Sequence, residues 1–207
     1  AVPYLYDEKT YKFEIGKGIT LAEGKDVTIV ATGYMVHLAL AARELLRADG
    51  IDAEVINIHT IKPIDTELLI KSATKTGAVV TAEEHNIIGG LGGAVCEVLS
   101  EAHPVPVLRV GVEDKFGKSG KVPVLLEEYG LTAENIAAKA KVIAIDALSL
   151  SLEAGSAKAV NVVLIGVLAR SSDISKEVWI QTIKDTVPAK FLDLNLKAFE
   201  LGYNCGC

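Results

Sequence analysis

The sequence predicts a three-layer α/β/α fold, in which helices cover both faces of a mainly parallel sheet of about four or five strands, followed by a helical extension. Two observations support this. Short β-branched runs alternate with segments whose apolar residues repeat at helical spacing, a pattern typical of parallel strands joined by right-handed crossovers. Half of the 207 residues are apolar and 23% are charged, so a packed core is expected rather than a disordered chain.

The first two thirds of the chain contain the alternating strands and helices. An irregular leading segment, residues 1–22, precedes the first strand. The predicted strands are apolar runs at 27–32, 53–58, 78–82 and 107–110. The predicted helices lie at 35–49, 66–76, 94–100, 124–129 and 133–141. Asp65 is expected to cap the second helix and Gly77 to end it.

The alternation of predicted strands and helices gives way to helical segments at residue 142, and we place a domain boundary there. Residues 1–142 are expected to form the α/β domain and residues 143–207 the helical extension. The helices expected in the extension span 147–154, 159–169, 174–186 and 191–201. Asp173 is expected to cap the third of these, Gly166 to allow a close helix contact, and Gly202 to stop the last.

Charge and composition exclude several classes of function. The net charge is −6 and no basic patch stands out, so nucleic acid is not expected as a partner. The first residues do not resemble a signal peptide, and the longest apolar run, 159–169, is too short to span a bilayer. We therefore expect a cytoplasmic protein without membrane association.

The three cysteines do not make a disulfide framework. Cys96 is expected inside a helix as a buried small hydrophobic residue. Cys205 and Cys207 flank a glycine at the end of the sequence. A frayed tail is one interpretation of this pair, and binding of a soft metal or oxidation is the alternative.

The stretch 79–95 holds the feature around which the chain is organised: an apolar strand, a glycine-rich turn and the start of a helix. Its glycines are Gly89, Gly90, Gly92 and Gly93. A helix start presents unpaired N–H groups and a partial positive charge, so this turn is a candidate anion-binding site. The alternative is that the glycines only permit a sharp turn and close helix packing.

Other candidate residues are expected at the same carboxyl edge of the sheet, where parallel α/β folds bind their ligands. His59 follows the second predicted strand and His85 the third. Lys118 and Ser119 lie in the loop after the fourth strand. These four residues complete the candidate anion-binding site, although a mobile, solvated loop is the alternative for the lysine.

No catalytic residue and no metal site is predicted. Glu83 and Glu84 are neighbours on a strand and point to opposite faces, so at most one carboxylate can join the site. His59 and His85 have no third ligand placed beside them, which leaves a metal site without support. The sequence also lacks a P-loop, a dinucleotide fingerprint and a nucleophile elbow.

Four motifs follow one another between residues 4 and 142: Val27-Thr-Ile-Val-Ala-Thr-Gly33, Ile58-His-Thr-Ile-Lys-Pro-Ile-Asp65, Val80-Thr-Ala-Glu-Glu-His85 and Phe116-Gly-Lys-Ser-Gly120. This part of the chain resembles the C-terminal domain of transketolase, in the form found where the enzyme is split into two chains. The resemblance implies an α/β domain of a thiamine-diphosphate-dependent enzyme that transfers ketol groups.

A second set of motifs lies between residues 142 and 204: Asn161-Val-Val-Leu-Ile-Gly166, Pro188-Ala-Lys-Phe191 and Asn195-Leu-Lys-Ala-Phe-Glu-Leu-Gly202. This segment resembles the end of the gamma subunit of 2-oxoacid:acceptor oxidoreductases, which are also thiamine diphosphate enzymes. The two resemblances together imply a fusion or an engineered chimera.

The resemblance to transketolase also implies what the chain lacks. In that family a Gly-Asp-Gly motif followed by an asparagine holds Mg²⁺ and the cofactor, and the activating glutamate lies in a separate pyrimidine-binding domain. This sequence has no Gly-Asp-Gly. We therefore expect the chain alone to bind no cofactor, and thiamine diphosphate and magnesium to belong to the complete assembly.

Three hypotheses of function follow. The first is a non-catalytic assembly or dimerisation module whose partner is a second copy of the chain or a catalytic subunit. The second is an anion- or nucleotide-binding protein that uses the turn at 89–93 with His59, His85 and the loop at 115–121. The third is a chimera with a structural role only, whose apolar residues at 160–168 must be buried on the first domain or on another copy.

Overall fold

The computed structural model divides the chain into two compact units, Ala1–Ala144 and Ile145–Cys207, which we name unit 1 and unit 2. The sequence places the boundary between residues 142 and 143. The structure describes residues 3–7, 9, 11–143, 147–170, 172 and 174–204. The cap expected at Asp173 and the alternatives for Cys205 and Cys207 lie outside the described residues.

The sheet of unit 1 is built from the strands β1 (Ile19–Ala22), β2 (Val27–Ala31), β3 (Ala53–Asn57), β4 (Val79–Asn86) and β5 (Val107–Val112). Their order across the sheet is β1-β3-β2-β4-β5. β2 pairs in parallel with β3 and with β4, and β4 pairs in parallel with β5. β1 is antiparallel to β3 at one edge. The mainly parallel sheet predicted from the sequence is confirmed.

Helices cover both faces of this sheet. They are α1 (Met35–Ala48), α2 (Thr66–Thr76), α3 (Leu91–Ala102), α4 (Val122–Glu128) and α5 (Ala133–Ile143). α1 and α5 pack on one face, where Met35 and Ile136 are fully buried. α2 and α3 pack on the other face around Leu69 and Leu91. The predicted three-layer architecture is therefore confirmed.

Strand β1 is not predicted by the sequence, which indicates an irregular segment there. All four of its residues are half-buried, so it lacks the apolar run that marks the inner strands. It pairs with residues far along the chain, such as Asn57 opposite Ile19. Gly24 lets the following turn approach β3 closely, because a Cβ placed there would lie 2.2 Å from the carbonyl carbon of Ala53.

Both predicted ends of α2 are confirmed. One carboxylate oxygen of Asp65 accepts the N–H of Leu68 at 3.1 Å, which caps the helix. The other oxygen accepts the N–H of Gly18 at 2.9 Å. Gly77 ends the helix with φ 71°, in the left-handed region. Asp65 thus also fixes the end of the leading segment against α2.

β4 and α3 are both longer than the sequence predicts. β4 continues past Ala82 to Asn86, so Glu83 is buried and Glu84 is exposed, as expected for neighbours on a strand. α3 begins at Leu91 rather than at residue 94, because a side-chain carboxylate satisfies its first N–H groups. The four residues 83–86, which the sequence places after the strand, therefore belong to β4 itself.

Cys96 lies in α3 as predicted, but it is half-buried rather than buried. Its neighbours Val95 and Leu99 face the sheet and are fully buried, so the thiol lies at the margin of the core. Its expected role as a small packing residue holds only in part.

A buried carboxylate lies beneath α2. Glu54 is 2% exposed; its carboxylate accepts the Thr28 hydroxyl at 2.9 Å and the Lys75 ammonium at 2.6 Å. The ammonium also binds Glu23 at 2.7 Å. Partial burial lowers the pKa of Lys75, but the hydrogen bonds to Glu23 and Glu54 raise it by more, so its pKa lies above the ordinary value of 10.5. Lys75 therefore stabilises the fold in its charged form.

Replacing Lys75 with methionine is expected to lower the free energy of unfolding by about 2 kcal/mol at pH 8, because Glu54 loses its cationic partner. The cost stays below that of a fully buried pair because water reaches the site. A raised pKa contributes stability below the unfolded value and loses it as the pH rises through the folded value. The difference between wild type and Lys75→Met, measured by urea denaturation, should therefore shrink above pH 10.5. A difference that stays constant up to the highest pH at which the fold survives would contradict this.

Unit 2 is helical throughout its regular elements. They are α6 (Ala147–Ala154), α7 (Val160–Arg170), α8 (Lys176–Thr186) and α9 (Leu192–Asn204), with short 3₁₀ turns before α7 and α9. Val163, Ala198 and Phe199 are fully buried where α7 and α9 meet. Among the helices that the structure describes, none combines the length and apolar character needed to cross a bilayer.

Two glycines set the distance between α7 and α9. The close contact predicted at Gly166 is confirmed, since a Cβ placed there would lie 2.2 Å from the carbonyl oxygen of Phe199. The predicted helix stop at Gly202 is wrong, because this residue lies inside α9. A Cβ at Gly202 would lie 1.9 Å from the carbonyl oxygen of Val163. The glycine therefore serves packing and not termination.

Candidate functional site

The residues singled out in the sequence lie at the carboxyl ends of the parallel strands. The strand order reverses around β2, with β3 on one side and β4 on the other, and α/β folds bind ligands at such a point. His59 follows β3, the turn 89–93 follows β4, and the loop 113–121 follows β5. The contacts along this edge divide the candidate residues into three groups.

The first group is the glycine-rich turn with Glu83. This side chain is 1% exposed and points at the start of α3. Its two carboxylate oxygens accept the N–H groups of Leu91, at 2.7 Å, and of Gly92, at 2.9 Å. A negative charge at a helix N-terminus is stabilising, and these hydrogen bonds are charge-assisted. The protein's own carboxylate thus occupies the position where an anion was predicted to bind.

The glycines of this turn make room for that carboxylate. Gly89 has φ 78°, which favours glycine. A Cβ at Gly90 would lie 1.9 Å from a carboxylate oxygen of Glu83, whereas a Cβ at Gly93 would meet no atom within 4 Å. These contacts support the alternative interpretation, a sharp turn with close packing. Anion binding at this turn stays a prediction, and the N–H groups that it would use are already paired.

The second group joins the end of β4 to the loop after β5. His85 is exposed, with Nδ1 lying 3.1 Å from the carbonyl oxygen of Asn86. The amide of Asn86 donates to the carboxylate of Asp114 at 3.1 Å. The hydroxyl of Tyr129 donates to the carbonyl oxygen of Phe116 at 2.9 Å. These bonds hold the loop in place, so it is tied down more than a freely mobile loop would be.

Lys118 and Ser119, predicted to receive an anion, lie exposed in this loop. The ammonium of Lys118 binds the carboxylate of Glu128. That hydrogen bond, together with the attraction between the two charges, raises the pKa of Lys118 above its ordinary value. Because the lysine already has an anionic partner, an external phosphate would have to compete with Glu128 for its ammonium group.

The third group lies at the end of β3, beneath the leading segment. Nε2 of His59 lies 3.1 Å from the carbonyl oxygen of Glu14, and the ring stacks on Phe13 with centroids 4.7 Å apart. The amide of Asn57 donates to the hydroxyl of Tyr6 at 2.5 Å. Burial raises the pKa of the Tyr6 phenol above its ordinary value of 10.0, and the bond from Asn57 offsets part of that rise. The phenol therefore stays protonated at neutral pH.

A cleft of about 580 Å³ opens beside this third group. Its walls are mainly apolar, with a smaller polar part, and the residues that line it are Pro3, Tyr4, Leu5, Tyr6, Tyr11, Thr32, Gly33, Val36, Asn57 and His59. Most of these side chains come from the leading segment and from the ends of β2 and β3. Its volume falls in the range of small-molecule sites in proteins.

The structure does not bring His59 and His85 into one site. β2 lies between the strands that carry them, His59 lies under the leading segment and His85 faces solvent. In the part of the chain that the structure describes, no three His, Cys, Asp or Glu residues are grouped so that they could hold a metal ion.

Two residues that line the cleft, Tyr6 and Asn57, are not predicted from the sequence as site residues. Glu83 is singled out by the sequence, but its capping of α3 is not predicted. Asn57 is a polar residue at the end of a buried strand, and this position could have indicated a residue of the site. For Glu83 the sequence offers a weaker indication of capping: a carboxylate that follows an apolar run, eight residues before the helix begins.

Comparison with known proteins identifies the class. The family model described as transketolase, C-terminal domain, matches residues 16–136, which is more than half of the chain. The chain belongs to this family. The predicted resemblance of the first two thirds to transketolase is thereby confirmed.

Two curated relatives illustrate the match. The 6-deoxy-6-sulfo-D-fructose transketolase subunit SqwH of Clostridium sp. (strain MSTE9) is 55% identical over 130 residues, which are 63% of this chain and 40% of the relative. The putative transketolase C-terminal section of Methanocaldococcus jannaschii is 52% identical over 132 residues, which are 63% of this chain and 41% of the relative. The chain thus spans less than half the length of these relatives.

A solved structure, described as a split gene transketolase, inactive beta4 tetramer, is similar to this chain with a TM-score of 0.67 and 54% identity. The match covers 69% of this chain and 46% of that one. The similarity supports the α/β architecture of unit 1.

Proposed function

We propose that this chain is a non-catalytic assembly module of a transketolase-type, thiamine-diphosphate-dependent enzyme. The observation that carries the proposal is the family match over residues 16–136, combined with a carboxyl edge whose polar groups serve the fold. The carboxylate of Glu83 caps α3, and the ammonium of Lys118 is paired with Glu128. These charged groups therefore stabilise the fold, which agrees with a role in assembly.

The residues present do not fit the cofactor of such an enzyme. Mg²⁺ is held by oxygen ligands such as carboxylates, together with the phosphates of its ligand. The sequence has no Gly-Asp-Gly, and the described residues offer no group of acidic or histidine ligands for a metal ion. We therefore derive no catalytic step from this chain and assign cofactor binding to another part of the assembly.

The partner we propose is a second copy of this chain or a catalytic subunit of the same enzyme type. One relative is described as a subunit and the similar solved structure as a tetramer, which supports association. Unit 1 also exposes large apolar side chains on its carboxyl edge: Phe116 is 97% exposed and Ile88 is 63% exposed. Exposed apolar residues of this kind mark association surfaces when they form a patch.

Light scattering coupled to gel filtration tests the association. A mass of two or more times the 21.9 kDa of the chain supports self-association. If the chain by itself elutes as a monomer of 21.9 kDa, it is next mixed with a subunit that carries Gly-Asp-Gly. Co-elution of the two would show that the partner is a catalytic subunit. A monomer that binds neither would contradict the proposal.

The anion- or nucleotide-binding alternative is less well supported by the contacts at the same edge. The N–H groups of Leu91 and Gly92 bind Glu83, and Lys118 binds Glu128. A phosphate would have to displace carboxylates of the protein. Titration with inorganic phosphate, followed by the amide NMR signals of the turn 89–93, tests this alternative directly.

For unit 2 we propose descent from the end of an oxidoreductase gamma subunit, which makes the chain a fusion. The support lies in the motifs and their places: Asn161–Gly166 lies in α7 and Asn195–Gly202 in α9. The glycine that closes each motif lies at the α7–α9 contact. Co-elution with the other subunits of a 2-oxoacid:acceptor oxidoreductase would support the proposal. Failure to bind them, with unit 2 folded, would count against it.

A further inference from the structure

Helix α7 is apolar on every side, and part of its apolar surface faces outward. From Val160 to Ala169 it contains no charged residue. Val163 and Ala169 are buried against neighbouring helices of unit 2. Leu164 and Leu168, by contrast, are 41% and 61% exposed. A helix that is hydrophobic all round is normally buried in a larger structure, so the outer side of α7 is expected to meet a further partner.

The exposed residues in the middle of α7 form one stripe. A helix turns by about 100° per residue, so Asn161, Leu164, Ile165 and Leu168 fall within a single arc of about 100°. All four are exposed. Gly166, which packs on α9, lies nearly opposite this arc. We name these four exposed residues the α7 face: three apolar side chains with an uncharged amide at one end.

The outer sides of the neighbouring helices are different, because they carry charged side chains. Glu177, Lys184 and Asp185 are exposed in α8. Asp193 and Lys197 are exposed in α9. These two helices are therefore amphipathic in the ordinary way of surface helices, with a charged outer side. The uncharged outer side of α7 sets it apart within the same unit.

The absence of charge favours a second copy of the chain as the partner of the α7 face. A twofold interface brings the same patch of both copies together, so charges of one sign on such a patch would repel each other. An uncharged apolar face meets its own copy without this repulsion. The amide of Asn161 can both donate and accept hydrogen bonds, so it also suits pairing with itself. A partner selected by charge would find no opposite charge on this face.

We propose that the α7 face is a self-association surface, on which a second copy of the chain docks with its own α7 face. The inference rests on the proposed assembly role and assigns one surface to it. The three apolar side chains expose roughly 200 Å² on each copy. A pair that buries this face and its margins stays below about 1,200 Å² in total, the size of transient complexes, so we expect a Kd on the order of 10 µM.

Charge complementation tests this pairing in the full chain. One double variant, Leu164→Glu with Leu168→Glu, makes the face acidic, and the other, Leu164→Lys with Leu168→Lys, makes it basic. In sedimentation velocity at about 100 µM, wild type should form a dimer that dissociates on dilution, and each double variant alone should bind itself more than tenfold more weakly. An equimolar mixture of the two should associate again, and less so at high salt. A misfolded variant would not be rescued in this way.

Phe116→Glu is the control, because Phe116 is 97% exposed but belongs to unit 1. It should leave the dimer unchanged. The proposal is overturned if wild type stays at 21.9 kDa at about 100 µM, if both double variants keep the wild-type Kd, or if their mixture does not associate. Loss of the dimer in Phe116→Glu alone would also overturn it, since association would then run through unit 1 and the proposed assembly role would stand. The assembly role itself fails only if the chain also binds no catalytic subunit.

Discussion

Replacing Glu83 with alanine lowers the free energy of unfolding of unit 1 by about 3 kcal/mol. The substitution removes two charge-assisted hydrogen bonds and leaves the buried N–H groups of Leu91 and Gly92 without an acceptor. It also removes the negative charge that stabilises the positive end of α3. Hydrogen exchange of the α3 amides is the measurement, because protection of that helix reports its opening free energy.

Two further variants separate this explanation from a general loss of packing. Glu83→Gln keeps the shape but provides one acceptor instead of two, so it should cost roughly half as much as alanine. Gly90→Ala places a Cβ against the Glu83 carboxylate and should be destabilising, whereas Gly93→Ala meets open space and should stabilise α3 by about 0.5–1 kcal/mol. Equal effects at Gly90 and Gly93 would show that the carboxylate does not hold the turn.

Replacing Gly202 with alanine destabilises unit 2 by about 3 kcal/mol. Alanine raises helix propensity, so a free position would gain stability. Here the new Cβ would meet the carbonyl oxygen of Val163 at 1.9 Å, and backbone cannot move aside as a side chain can. α7 and α9 must therefore separate and lose contacts around Phe199.

Trp179 provides the readout for that prediction. It is the single tryptophan of the chain and packs in the same cluster as Phe199. Its indole N–H donates to Ser172 at 3.2 Å, so its fluorescence should report the loss of unit 2 packing during urea denaturation. The control is Gly93→Ala, the same substitution in a helix of unit 1, which should leave the Trp179 transition unchanged. An unchanged or higher midpoint for Gly202→Ala would contradict the close packing of α7 on α9.

The parts of the fold that follow from local chemistry could be predicted from the sequence. Asp65 and Gly77 bound α2 as predicted, because a cap depends on residues within one turn of the helix. The inner strands were predictable because β-branched runs buried on both faces are distinctive. The one strand that was missed, β1, is half-buried and acquires its structure only by pairing with β3.

The errors at the site come from contacts between distant residues. Glu83 reaches across the turn to cap α3, which extended the helix toward the turn beyond the predicted start. Gly202 carries a helix-stop signal that packing against Val163 overrides. The contacts of Asn57 and His59 form only when the leading segment folds over them, and they join residues about 45–51 positions apart. A single sequence contains no signal for such a contact.

Calorimetric titration of thiamine diphosphate with Mg²⁺ into the purified chain tests the central claim most directly. The account predicts no saturable heat, because the chain has no Gly-Asp-Gly and no described ligand set for the metal ion. Adding a catalytic subunit that carries that motif should restore binding. Saturable binding to the chain alone, with a Kd in the micromolar range, would contradict the account.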